Sequence, residues 1–249
     1  MKVPFSAAYS RLYDAVYRDK RYREEALRVR RIFEQYIPGA RRVLELGSGT
    51  GGHARYLSRY YEMVCVDRSA TMIRIARESL QGRPITWRRA DLERGGSFGV
   101  GFDGCLSLFH VMNYLTPAGF RRALGTVRHD LRPGGLFVFD SWNGDALLRE
   151  GPASRERSFL FGRRRFVRRV TPRLDAHAGY CDVSIQIEEV QGRRRIIRSD
   201  EVHRMRYHFP DELRRLVVRR GFTVRALTND FGGSLTGRDW SMQFAVTRN

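Results

Sequence analysis

The sequence predicts an α/β fold: a Rossmann-like, doubly wound, mostly parallel seven-stranded sheet with an inserted antiparallel β cap and N-terminal lid helices. Three observations lead there. Short apolar runs alternate with helix-period segments from about residue 40 to 143, the pattern of βα units. The first of those runs breaks into glycines immediately before a helix, as at the ligand end of a doubly wound sheet. Finally, residues 144–209 switch to period-two alternation, which reads as β hairpins.

The elements follow in order. Tyr9, Tyr13 and Tyr17 recur at four-residue steps beside Leu12 and Val16, an aromatic stripe on a short helix. A second helix from about Arg21 to Tyr36 stops at Pro38-Gly39. A helix ahead of the first strand can lie over a pocket, and tyrosine offers both a wall and a hydroxyl; Tyr13 and Tyr22 are the lid candidates. Val43-Leu44-Glu45-Leu46 is the first strand, Gly47 to Gly52 the turn, and His53 to Tyr60 the next helix. Glycine backbone reaches angles closed to other residues and lets N–H groups approach a ligand. Gly47, Gly49 and Gly52 also satisfy the dinucleotide spacing. Glu45 argues against that alternative, because a carboxylate there repels a pyrophosphate but suits a ligand bearing an ammonium and a sulfonium, such as S-adenosylmethionine.

Glu62 to Asp67 is the second strand, and its terminal acid suits two ribose hydroxyls. Ser69 caps a helix over residues 70–80. Ile85 to Asp91 forms the third strand, with Asp91 placed to accept from an adenine amino group and Leu92 beside the ring. Phe102 to Phe109 is the fourth strand and releases His110, Met112, Asn113 and Tyr114 at its end. A helix from about Ala118 to Leu131 ends at Arg-Pro-Gly-Gly, and Leu136 to Phe139 then delivers Asp140, Trp142 and Asn143 to the same edge. In the insertion, Cys181 to Ile187 alternate, Gln191-Gly192 turns, and His203 to Phe209 alternate again. Pro210 opens a helix to Arg220, Gly221 closes it, and Phe222 to Leu227 with Trp240 to Thr247 complete the sheet.

Through Glu45-Leu46-Gly47-Ser48-Gly49-Thr50-Gly51, Asp67, Ala90-Asp91-Leu92 and the Leu131-Arg132-Pro133-Gly134-Gly135 turn, the chain resembles the class I S-adenosylmethionine-dependent methyltransferases. The resemblance covers roughly residues 40 to 145. It implies S-adenosyl-L-methionine as cofactor, a cofactor domain over 40–143 and 210–249, lid helices over 1–39 and a substrate cap over 144–209. The expected cofactor contacts are Glu45, Gly47, Ser48, Gly49 and Gly51 at the first turn, and Asp67, Arg68 and Met72 after the second strand. Asp91, Leu92, Leu108, Asn113 and the lid residue Tyr22 complete them. Tyr13-Asp14-Ala15-Val16-Tyr17, Gly49 to His53 and Glu201 to Tyr207 further look like the nucleotide-linked amino-sugar N,N-dimethyltransferases. That resemblance implies a TDP-linked 3-amino sugar as acceptor, with arm tyrosines near the cofactor's methionine end.

The sulfonium methyl is already activated, so alignment and exclusion of water are the main tasks. His110, His203 and Tyr13 are the catalytic candidates; a histidine base matters most where the acceptor is a hydroxyl. O-methylation of a sugar or small metabolite is the alternative to an amine. The net charge of +19 raises a nucleic-acid partner and RNA methylation as another. Yet all but Lys2 and Lys20 of the 46 basic residues are arginine, which reads as compositional bias, and Arg163 to Arg169 and Arg193 to Arg195 read first as solvated faces. No Asp-Pro-Pro-Tyr or Asn-Pro-Pro-Tyr follows the fourth strand, which argues against nucleobase amines. Three cysteines show no metal or disulfide spacing, no metal site is expected, Met1-Lys2-Val3-Pro4 starts no signal segment, and no apolar run reaches membrane length. A cytoplasmic enzyme with a small-molecule substrate and no membrane partner is expected; the oligomeric state stays open, a homodimer included.

Overall fold

The computed structural model describes residues 4–249, so the start read at Met1-Lys2-Val3 lies outside the described residues. Seven strands form the main sheet: β1 (Arg42–Leu46), β2 (Glu62–Asp67), β3 (Ile85–Arg89), β4 (Phe102–Ser107), β5 (Leu131–Trp142), β10 (Phe222–Asn229) and β11 (Ser241–Arg248). Their spatial order is β3-β2-β1-β4-β5-β11-β10. β11 runs antiparallel to both neighbours and the other pairings are parallel. Strand order reverses between β1 and β4, which opens a crevice at their carboxyl ends. β1 is buried almost throughout and β11 entirely up to its last residue, as apolar strands covered on both faces require.

Helix α2 (Tyr22–Tyr36) puts Ala26, Val29 and Phe33 against one sheet face together with α3 (Ala54–Leu57). α5 (Pro117–Asp130) and α7 (Pro210–Arg219) cover the other face through Phe120, Leu124, Leu213 and Val217. α4 (Ala70–Ser79) begins at Ser69, whose hydroxyl accepts from Met72 N, and Thr116 caps α5 in the same way.

Residues 155–206 make a second, four-stranded antiparallel sheet of β6 (Arg155–Phe161), β7 (Arg164–Asp175), β8 (Tyr180–Gln191) and β9 (Arg194–Arg206). Its inner face meets helix α1 (Ala7–Val16): Tyr9, Leu12, Tyr13 and Val16 pack with Phe166, Ile185, Ile187 and Met72 in one apolar cluster. The aromatic stripe of α1 therefore faces the second sheet rather than solvent. Glu201 secures the start of this arm by accepting from Phe5 N at 2.8 Å and Ser6 N at 2.9 Å.

Several boundaries differ from the sequence expectation. The helix read over 53–60 is a single turn, because after Leu57 the chain must descend to begin β2. Asp91 lies beyond β3 and caps the 3-10 turn Leu92–Arg94. β4 ends at Ser107, since Phe109 and His110 take left-handed angles. β5 reaches from Leu131 to Trp142, with a register shift absorbing the Pro-Gly-Gly segment. A short helix, α6 (Gly144–Glu150), opens the region read wholly as hairpins, capped by Asn143.

Candidate active site

One cavity of about 630 Å³ lies at the carboxyl ends of β1, β2 and β4, beneath α1 and the second sheet. At its β1 end Gly47 and Gly49 have φ of +70° and +55°, and a Cβ on Gly47 would come within 2.4 Å of Val111. The turn thus needs glycine both for its angles and for its closeness to the β4 loop. Asp67 lines the cavity, with one carboxylate oxygen accepting from Gly49 N at 2.9 Å and the other from Ser69 N at 2.8 Å. Burial pushes its pKa up against those two bonds, and each oxygen retains a lone pair for a ligand hydroxyl. Met72, Ala90, Leu92 and Leu108 supply apolar wall, and Asp91 sits beside them. The hydroxyl of Ser48 is buried without a partner in the same turn. An apolar slot flanked by two carboxylates and open glycine backbone fits a nucleoside with a free ribose.

The opposite end is aromatic. Phe5, Tyr9, Tyr13, Tyr17, Tyr114 and Trp142 line it with His110 and His203. Two consecutive residues hold left-handed angles at the β4 tip, Phe109 at φ +66° and His110 at φ +60°. The buried Asp140 carboxylate explains how they persist: it accepts from both of their N–H groups at 2.7 Å. Strain of this kind persists only where surrounding bonds over-determine it. The His110 ring is then fixed by Ser241 Oγ at 3.0 Å. From the second sheet, β7 and β8 contribute Val170, Pro172, Val183 and Ile185, and Arg168 is the cation among them. Its Nη2 donates to Tyr17 Oη at 3.2 Å, while its Nε has no partner.

Beneath the glycine turn lies a separate polar cluster. His53 is hydrogen-bonded to Glu25 at 2.7 Å and lies 3.5 Å from Glu45, and Lys20 closes on Glu25 at 2.7 Å. Burial pulls the His53 pKa down, but the two glutamates overcome it and raise it to about 9. Glu25 is drawn to about 2, its burial outweighed by His53 and Lys20.

Residues 43–135 match the family model described as a methyltransferase domain. The chain carries a methyltransferase domain. That domain spans the glycine turn, Asp67, Asp91 and the β4 tip. No curated protein matches the chain. Among solved structures, an S-adenosylmethionine-dependent methyltransferase from Clostridium acetobutylicum ATCC 824 aligns with TM-score 0.81 at 15% identity, covering 97% of this chain and 98% of that one. CalS10 bound to S-adenosylmethionine, an amino pentose methyltransferase from Micromonospora echinaspora, aligns with TM-score 0.76 at 22% identity, covering 100% and 99%. The sugar N-methyltransferase KedS8 from Streptoalloteichus sp ATCC 53650 aligns with TM-score 0.79 at 24% identity, covering 95% and 92%. The methyltransferase domain and the sheets around it therefore follow the class I fold along nearly the whole chain.

Of the expected contacts to this domain's cofactor, Gly47, Gly49, Asp67, Arg68, Met72, Asp91, Leu92 and Leu108 line the cavity, as do Tyr13, His110 and His203. Five do not. Glu45 is 2% exposed and turned toward His53 and Cys65, so a carboxylate read as meeting the ligand's ammonium is instead matched by an internal imidazole. Tyr22 lies on Gly52 and the His53 ring, 5.0 Å between centroids, because the turn's glycine leaves room for it. Gly51 faces Leu80 and Trp87. Ser48 donates its N–H to Val66 O and does not line the cavity. Asn113 is fully buried and bridges Ser141, Arg206 O and Trp142 N, holding the two sheets together. Conversely, Tyr114, Trp142, Trp240 and Arg168 also line the cavity: the sequence places Tyr114 and Trp142 at this edge without a role, and Arg168 within a cluster read first as a solvated face. The four-residue spacing of the arm tyrosines is a usable signal for Tyr9 and Tyr17; nothing local marks Trp240.

Proposed function

We propose that the chain transfers the methyl group of S-adenosylmethionine to the amine of a small acceptor that also bears an anionic group, such as a nucleotide-linked amino sugar. The observation that carries this is the two-ended cavity: Asp67 and Asp91 stand at the nucleoside end and the Arg168 guanidinium at the second-sheet end. The donor supplies a sulfonium-bound methyl, so that an N–CH3 bond forms as the S–CH3 bond breaks and sulfur keeps the electron pair. The chain's residues do the rest. Asp67 and the glycine turn hold the ribose and set the donor's depth. Tyr13, Tyr17 and Phe109 surround the reacting end and keep water out, while Arg168 matches phosphate oxygens. Sugar N-methyltransferase and amino pentose methyltransferase activity in structural neighbours supports the same acceptor class.

Roofing by α1 and the second sheet favours an acceptor of metabolite size. Part of the outward arginine charge is met within its own sheet, where Arg169 pairs with Glu156, Arg195 with Glu188 and Arg198 with Glu189. Cys65, Cys105 and Cys181 are buried free thiols, which suits a reducing cytoplasm. A hydroxyl acceptor is the second reading, favoured by two imidazoles on the cavity wall. Incubating the chain with methyl-labelled S-adenosylmethionine and a panel of sugar nucleotides, amino and hydroxy, tests both by mass spectrometry. Label on the amino sugar is the expected result; label on the hydroxy sugar alone selects the second reading, and label on neither rejects this acceptor class.

A further inference from the structure

Tyr114, which follows the β4 tip, lines the cavity and meets His203 Nδ1 through its hydroxyl at 2.7 Å. The other ring nitrogen, Nε2, meets Glu201 Oε2 at 3.0 Å. Glu201 is 1% exposed and accepts besides from Phe5 N, Ser6 N and Ser199 Oγ. A carboxylate so surrounded can only accept, so Nε2 carries a hydrogen, and Nδ1 is left to receive the phenol's O–H. The chain of bonds runs from the cavity wall through a 2%-exposed imidazole to a buried anion. The arm's N–H groups account for the carboxylate of Glu201, but they call for neither an imidazole on it nor a phenol on that imidazole at the cavity wall.

We propose that Tyr114, His203 and Glu201 form a proton relay that deprotonates the acceptor, with Tyr114 as the group that touches it. This rests on the reading of the chain as a methyltransferase acting on a small amine. An alkylammonium has no free electron pair and must lose a proton before it attacks the methyl. In the relay the acceptor N–H bond breaks and its proton passes to Tyr114 Oη, while the phenol's own proton passes to His203 Nδ1. The acceptor nitrogen keeps the electron pair, Tyr114 ends neutral, and the positive charge rests on the imidazolium beside Glu201, which later returns the proton to solvent. Burial raises the Tyr114 pKa far above that of a free phenol, so Tyr114 passes a proton on rather than standing as a phenolate. Burial raises the Glu201 pKa too, but hydrogen bonds from His203, Ser6 and Phe5 bring it below the usual value, keeping the anion that the imidazolium needs. Because two of those bonds come from the arm, the relay is complete only with the arm seated.

Two measurements test the relay on the full chain. The first needs no acceptor: nitrogen NMR of the His203 ring at pH 7.5, assigned with His203→Gln. The expected result is a neutral ring protonated at Nε2, whose Nδ1 resonance moves in Tyr114→Phe; a proton resting on Nδ1, or an Nδ1 indifferent to Tyr114→Phe, overturns the relay. The second follows methylation of a thymidine-diphosphate-linked 3-amino sugar. Tyr114→Phe is expected to lower kcat at least about 100-fold, within the usual range for positioned proton transfer, with donor Kd unchanged; wild-type turnover in Tyr114→Phe overturns the proposal. If the wild-type chain leaves this probe unmethylated, it is the acceptor class that fails, and the ring-nitrogen result alone decides the relay.

Discussion

Asp67 holds its carboxylate by two backbone N–H groups and turns what remains toward the cavity. Replacing it with Asn substitutes a donor for one acceptor. Charged hydrogen bonds of this kind contribute about 1.5–3 kcal/mol, so Asp67→Asn is expected to weaken S-adenosylmethionine binding roughly 10- to 100-fold. Calorimetry gives the affinity and a melting curve shows whether the fold survives. For His110, held by Asp140 through its backbone and by Ser241 through its ring, the expected pattern differs. His110→Ala should lower kcat roughly 10-fold or more while donor affinity changes less than about 2-fold, since the ring faces the aromatic end of the cavity. Unchanged turnover assigns His110 to packing alone. That both residues border the cavity was legible, because Asp67 closes an apolar strand and His110 follows one at the sheet's carboxyl edge. Glu45 closes a run as well, yet its partner His53 sits eight residues away on the far side of the turn, and no local pattern tells a carboxylate facing a ligand from one facing an internal imidazole.

Between elements, Glu25, His53 and Glu45 tie α2 to the base of the glycine turn. His208, which hydrogen-bonds Ser141 and is buried against Phe120, has the opposite character: burial and then Arg206 lower its pKa to about 3. The signs fix the pH profile. The raised pKa of His53, about 9 against 6.5, contributes stability fully present below 6.5 and lost as pH rises through 9. The lowered pKa of His208 does the reverse: its ring stays neutral in the fold, and stability falls as pH drops from 6.5 toward 3. Melting temperature is therefore expected to peak near pH 6.5, with His53→Gln flattening the alkaline limb and His208→Asn the acid one; a profile unmoved by both substitutions contradicts these two charge states. Strands, caps and the hairpins of β8 and β9 were readable from alternation and turn residues. α6 was not, because Gly144 to Glu150 is too short for a helical period to emerge, and the strained β4 tip depends on Asp140, thirty residues away in sequence.

At the scale of the molecule, a ligand that binds only the folded chain raises its stability by RT ln(1 + [L]/Kd), about 2.7 kcal/mol at a hundredfold excess over Kd. S-adenosylmethionine is expected to raise the melting temperature by several degrees and NAD(H) to leave it unchanged, a contrast that thermal scans resolve. A shift with NAD(H) alone rejects the donor. The charge of +19 predicts some RNA association at low salt that fades steeply toward physiological ionic strength, without transfer of labelled methyl to RNA. Fold class was legible because strand order, glycine turn and terminal acids agree along one alternating pattern. How the second sheet closes on the arm was not, since that contact joins residues nearly two hundred positions apart.

The arm packed on the second sheet has a kinetic corollary. Since Tyr13, Tyr17, Arg168 and Val170 line the same cavity as Asp67, an acceptor seated among them would block the way out for a donor held at Asp67. Catalysis should then run in compulsory sequence, the donor entering first and its spent form departing last, and S-adenosylhomocysteine should inhibit competitively against the donor and non-competitively against the acceptor.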